Sequence, residues 1–321
     1  MKASVSALSV ALVVAIAGCG GDSPSGGTSS GNQVGAANSP EARTLIKQTF
    51  GANPRAKSGL LSGRIDIAIK GAPLFRKGVA VTMSGPFRQD KGRDPVGNFS
   101  VGLELKDKIY GADLILIGNE VLIGLGSTAY LVPADIGAHM RRPLRGADNA
   151  LTGVLGVFRV NPDRWAKNPR IVGNEKIAGE DVVHASAAIH TNRFFLDVAK
   201  LVNILTSLRF TEVAGLPLAV DAKARAALSR SVTSATGDLY SGAEDHVMRR
   251  AAFKMAMKMS AKDRKILGGI SSIKVSGDIT TIDVGSPTQI EAPTTRGLYA
   301  ELKNSLDALS EAAQQEAQES P

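Results

Sequence analysis

The stretch "DHVMRRAAFKMAMKM", residues 245 to 259, decides the fold. Its alanines, lysines and methionines are good helix formers. Yet Phe253, Met255, Met257 and Met259 fall on every second residue, with Ala252, Lys254, Ala256 and Lys258 between them. A helix would scatter those four apolar groups around its axis, whereas a strand puts them all on one face. The period therefore predicts a strand despite the composition. The stripe has two readings: plain core beneath helices, or a pliable, polarizable wall that fits variable acyl chains.

The same alternation recurs outward from this segment. In "LSGRIDIAIKG" (61–71), Leu61, Ile65, Ile67 and Ile69 alternate with Ser62, Arg64, Asp66 and Lys70. "GVAVTMSG" puts Val79, Val81 and Met83 on one face, and "NFSVGLEL" does so with Phe99, Val101, Leu103 and Leu105. "IYGADLILIGNEVLIGLG" reads as two strands around Gly118-Asn119, "TAYLVP" as a short strand, and "SIKVSGDITTIDV" as another. Short polar turns between such strands make an antiparallel meander. "RIVGNEKIAGEDVVHASAAIH" reads as a hairpin turning at Gly179.

Helices enter in groups between these runs. "SPEARTLIKQTFG" has Ser39 as N-cap, Pro40 at the first helical position and Gly51 at its end. "LRGADNALTGVLGVFRVNPDRWAKNP" carries helical and turn signals, and "NRFFLDVAKLVNILTSL" places its apolar residues at spacings of three and four. "DAKARAALSRSVTSA", "SAKDRKILGG" and "GLYAELKNSLDAL" are the remaining helical stretches. Eight or nine mostly antiparallel strands and four or five grouped helices indicate an α+β fold, with the helices on one face of a large sheet. No second linker is visible, so residues 39–310 are expected to form one domain and 311–321 a disordered tail.

The amino terminus has a different character. Lys2 precedes an apolar run from Val5 to Ala17, the layout of a secretory signal, and the run is too short to span a bilayer. Cys19 is the sole cysteine of the 321 residues, which excludes disulfides within the chain and cysteine-based metal sites. Residues 1–18 read as a signal peptide, and 19–38 as the cysteine followed by a flexible Gly/Ser tether. As a glycine-rich coil, Gly20 to Asn38 spans on the order of 25 Å. The formal charge of +8 fits anionic headgroups or plain solubility, and 4% aromatics speaks against stacking on bases or sugars.

Chemical motifs are sparse. "GLGSTA" (124–129) has dinucleotide-type glycine spacing but sits between strands, where no helix N-terminus receives a phosphate. Ser271 and Lys274 have S-x-x-K spacing, which on a strand puts them on opposite faces. His139, His184, His190 and His246 are scattered without metal-ligand spacing, and Glu180-Asp181 and Glu244-Asp245 lie in expected turns. Neither a cofactor, a metal nor a catalytic residue is expected. General acid/base residues that converge from distant positions stay open at this level.

Ile16-Ala17-Gly18-Cys19 resembles the lipobox of bacterial lipoproteins, which implies that 1–18 are a lipoprotein signal peptide cleaved before Cys19, that the thiol is diacylglycerated, and that the expected location is the cell membrane, lipid-anchored through Cys19 and facing the extracytoplasmic side. Across the body, the order of tether, helix, meander, hairpin and helix is similar to the LolA-like lipoprotein family that includes the LppX/LprAFG carriers. Within "NPDRWAKNPRIVGNEKIAGEDVVHASAAIHTNRFFLDVAKLV", Val172-Gly173-Asn174-Glu175, Gly179 and His184 resemble that family's hairpin; "AYLVP", "MSGPFR" and "APTTRGLYAEL" are similar to its phrases. The resemblance implies a strongly curved antiparallel half-barrel with helices on its concave face. It also implies an apolar cavity that binds lipid or lipoglycan acyl chains for transfer across the envelope. The candidate liners are Ile65, Ile67, Ile69, Val81, Met83, Val101, Leu103, Phe253, Met255 and Met257. Membrane lipids are the expected partners of a monomer, and nucleic acid is not. The alternative is a non-carrier sensor or interaction module for another envelope protein on the same scaffold.

Overall fold

The computed structural model describes residues 36–51, 57–72, 78–105, 108–145, 149–157, 159–207 and 221–306. The expected signal peptide, Cys19, most of the tether and the carboxyl-terminal tail lie outside the described residues.

The chain runs α1 (Pro40–Phe50), β1 (Ser58–Lys70), β2 (Val79–Arg88), β3 (Val96–Leu105), β4 (Lys108–Ile117), β5 (Glu120–Leu125), β6 (Thr128–Leu131), α2 (Ala134–Arg141) and α3 (Ala150–Val157). A 3-10 turn, Pro162–Arg164, leads to β7 (Ala166–Ile177), β8 (Glu180–Ile189), α4 (Thr191–Ser207) and α5 (Ala222–Ser231). Then come β9 (Val232–Gly242), β10 (Met248–Lys258), α6 (Ala261–Ile266), β11 (Ser272–Ile282), β12 (Arg296–Leu298) and a last helix, α7, over 299–306.

All twelve strands join one open sheet, in the order β12-β6-β5-β4-β3-β2-β1-β11-β10-β9-β8-β7. Every pairing is antiparallel except β12 with β6. Adjacent strands turn by roughly 20–25° against each other, so a sheet this wide coils instead of lying flat. The result is an α+β half-barrel whose concave face is covered by helices.

The decisive segment is β10, and its alternation is the observed burial. Met255, Met257 and Met259 are buried while Lys254 and Lys258 are exposed. Three expectations from sequence need correction. The helix expected over 221–235 stops at Ser231, and Val232 opens β9. Strand β9 went unnoticed because its inward residues Ala235 and Gly237 carry almost no side chain, so the alternation has no amplitude. Helix α2 was missed because its N-cap is Pro133, which makes no side-chain capping bond. Strand β12 is three residues long and exists only by pairing with β6.

Two apolar clusters form on the concave face. One packs Phe194, Phe195 and Val198 of α4 and Ala227 and Leu228 of α5 on Ile65, Ile67, Ile69, Met255 and Met257. The other packs Ile46 and Phe50 of α1, Leu151, Val154 and Leu155 of α3 and Leu302 of α7 on Leu61, Met83, Phe87 and Phe99. Helix α1 is tied down at its C-terminal end. The Thr49 and Ser241 hydroxyls lie 2.8 Å apart, the Asn149 amide donates to the Thr49 carbonyl at 3.0 Å, and the Thr152 hydroxyl donates to the Phe50 carbonyl at 3.0 Å.

The alternation of β10 has a direct check in urea unfolding. Met255→Ala leaves a cavity in the core and is expected to cost about 2–5 kcal/mol. Lys254→Ala, on the opposite face, stays within about 0.5 kcal/mol of the parent. Equal effects would mean that the strand register is wrong.

Candidate functional site

A slot lies at the seam between the two clusters, and cross-strand register explains its floor. One row of directly opposed residues runs Ala187, Gly237, Phe253, Gly277 across β8, β9, β10 and β11; the next runs Ala185, Leu239, Ala251, Ile279. Phe253 thus stands between two glycines. A Cβ at Gly277 would lie 2.3 Å from the Phe253 ring, so the ring rests on Gly277 and occupies that side-chain space. Gly237, on the other side, is not covered by the ring, and a Cβ there would meet only ordinary contacts, the Ala252 carbonyl oxygen at 3.6 Å and Ile189 at 3.7 Å. The gap over Ala187 and Gly237 is the floor of the slot.

The roof comes from Ile46 and Phe50 of α1, Leu155 of α3, and the connection carrying Val160, Pro162 and Trp165. Trp165, the sole tryptophan, packs edge-on against Phe194 with ring centroids 5.0 Å apart. Its indole N–H donates to Asp197 Oδ2 at 3.1 Å, an atom that also accepts from the Asn161 amide at 3.2 Å, and Lys200 Nζ lies 2.8 Å from Asp197 Oδ1. This buried carboxylate fixes the indole over the slot. The enclosed space is about 100 Å³. That is less than the roughly 150 Å³ that takes up a benzene, so an acyl chain enters only as roof and floor part.

The C-terminus of α3 joins the slot to its mouth. The Val160 amide donates to the Leu155 carbonyl at 3.2 Å and the Arg159 amide to that of Gly156 at 2.8 Å, the two bonds of a Schellman cap. Arg159 holds the left-handed position, φ 60°, where glycine is usual and another residue costs roughly 1–2 kcal/mol. The cap sends Val160 into the slot and Arg159 toward its mouth.

Only one of the ten liners expected from sequence, Phe253, borders this slot. Ile65, Ile67, Ile69, Met255 and Met257 are buried in the cluster under α4 and α5, with Leu103 packed at its edge. Met83 belongs to the second cluster and Val101 packs against it, while Val81 is buried opposite Ile65. All share the concave face with the slot. Sequence reasoning missed Ala185, Ala187, Gly237 and Ala251, whose only signal is a run of small residues at inward positions.

Titratable groups gather instead on the convex face. His184 Nδ1 lies 2.7 Å from Glu175 and Nε2 3.1 Å from Asp238, and the ring stacks on Tyr240, with Arg250 over the far side of the network. Burial pushes the imidazole pKa down, but the two carboxylate bonds outweigh it, so the net shift is upward. The His184 bond holds Asp238 below the usual carboxylate range. Among the described residues, no group of three His, Cys, Asp or Glu is placed to hold a metal, and no helix is long and apolar enough to cross a membrane.

No protein-family model matches the chain, and no curated protein sequence does. Among solved structures it is similar to LprF from Mycobacterium bovis, at 15% identity and a TM-score of 0.35, covering 81% of this chain and 99% of that one. The lipoprotein LppX from Mycobacterium tuberculosis matches at 11% identity and TM-score 0.36, covering 78% and 99%. A LolA superfamily protein from Nitrosomonas europaea matches at 11% and 0.21, covering 75% and 91%.

The histidine network has a signed consequence. Because the folded-state pKa of His184 is raised, its stabilisation is complete below the ordinary value of 6.5 and fades as pH rises through the folded-state value. Urea midpoints are expected to fall as pH is raised above that point, and His184→Gln to remove this slope. A slope unchanged in the variant would assign it to other groups.

Proposed function

We propose that the chain is a membrane-anchored lipoprotein that takes up acyl chains of envelope lipids between its sheet and helices and carries them shielded from water. The observation that supports this most is the slot itself. It is a seam between two complete cores, floored by residues too small to fill it and roofed by apolar side chains. Keeping acyl surface from water is worth about 25 cal/mol per Å², so no covalent step is needed for binding. Cys19, in its lipobox-like setting, would hold the body within a tether's length of the bilayer that supplies the lipid, on the extracytoplasmic side. Metabolic labelling with a fatty acid is expected to mark the chain and to fail in Cys19→Ala.

The carrier reading is tested by native mass spectrometry of the chain from residue 36 onward, incubated with lipid vesicles. Wild type is expected to retain acylated lipid. Gly237→Leu, which fills the floor at a position with room for a Cβ, is expected to retain roughly tenfold less, from the loss of about 1.4 kcal/mol of apolar contact. Trp165 emission should shift to the blue when lipid binds the wild type. The small volume of the slot favours one other reading, an interaction module for an envelope protein. Wild type that binds no lipid after incubation with vesicles would establish that reading over the carrier.

A further inference from the structure

At the mouth of the slot the lining turns from apolar to cationic. Phe50 and Val160 belong both to the slot and to a wider depression of about 540 Å³ beside it. That depression is bordered by Arg145, Arg159, Arg164 and Lys200 against a single carboxylate, Asp197. Asp197 is already engaged by Lys200, the Trp165 indole and the Asn161 amide. Asp163 stands beside Arg164. Arg145 and Arg159 have no carboxylate partner among the described residues. Arg159 gives one hydrogen bond, from Nη2 to the His139 carbonyl at 3.2 Å, which leaves most of its donors unused.

The backbone adds an independent sign. Arg159 sits in a left-handed cap position that glycine would fill without strain. A side chain kept there against a backbone penalty points to a use for that side chain. Guanidinium groups present paired N–H donors that match two oxygens of a phosphate.

We propose that this depression binds the phosphate-bearing headgroup of an amphiphile whose acyl chain lies in the slot, so that the protein selects anionic over zwitterionic lipids. The inference rests on the slot being an acyl-chain site. A zwitterionic headgroup brings its own cation into a cationic pocket, so its attraction there is largely cancelled. Net charge alone would favour anionic vesicles at the surface, but it would not make the preference depend on two particular arginines.

The test uses the full chain in mild detergent, incubated with equimolar phosphatidylglycerol and phosphatidylcholine of identical acyl chains, with bound lipid counted by native mass spectrometry. Wild type is expected to favour phosphatidylglycerol by roughly tenfold, the scale of charged hydrogen bonds. The ratio should fall toward one in Arg145→Gln and in Arg159→Gly. Arg159→Gly relieves the backbone, so its Tm is expected to match or exceed the parent's, and a lost preference is then not unfolding. Equal uptake of both lipids by wild type, or a preference that survives both substitutions, overturns the headgroup site while leaving the slot intact. Binding of neither lipid overturns the acyl-chain reading and the headgroup site together. Inorganic phosphate is the remaining arm: if free phosphate binds the chain in a way that needs Arg145 and Arg159 while neither lipid is preferred, the site belongs to free phosphate and the lipid headgroup is overturned.

Discussion

The contact between the Phe253 ring and the bare backbone of Gly277 governs the concave side of this protein. Antiparallel pairing forces Gly237, Phe253 and Gly277 into one row, and a single ring cannot cover both glycines. By resting on Gly277 it closes the core under α4 and leaves the β9 side open. Everything that follows depends on that asymmetry. The two apolar clusters are each well filled, yet they do not merge over β8 and β9, and the slot is what remains between them.

Polar groups are partitioned around that slot in an orderly way. The convex face carries its charges as cross-strand pairs, such as Arg64 with Glu104 and Arg250 with Asp278, which satisfy the sheet's outer surface without reaching the interior. The concave side admits few. Asp197 is buried but collects an indole N–H, a backbone amide and a lysine, so that its charge is matched and Trp165 is fixed. The arginines of the mouth are the exception, since among the described residues Arg145 and Arg159 find no such match.

Much of the fold was legible in the sequence because the large β-branched, leucine and methionine side chains of β1, β2, β3 and β10 alternate strongly. Ile65, Ile67 and Ile69 could belong to nothing but a half-buried strand, and Ser39-Pro40 announced α1 through a cap that the structure shows, with Ser39 Oγ accepting from the Ala42 amide at 3.1 Å. The site was far less legible. Its floor is built from Ala185, Ala187, Gly237 and Ala251, residues whose contribution is the volume they lack, and the same smallness hid strand β9. The ten liners named from sequence were chosen for being large and apolar, and such residues pack into the two clusters or at their edges, so that of the ten only Phe253 borders the slot.

The sequence by itself determined that there is a wide antiparallel sheet with one apolar face, since a period of two is written in residue types and needs no long-range information. It also carried the lipobox-like Cys19 and the low-complexity tether, which are local in the chain. Only the tertiary structure decided where the apolar face stays unfilled. That depends on which residues oppose each other across four strands and on which way one phenylalanine ring leans. The meeting of Arg145 and Arg159 with the mouth of the slot was decided there too, because a helix cap and a separate turn had to be brought to the same seam.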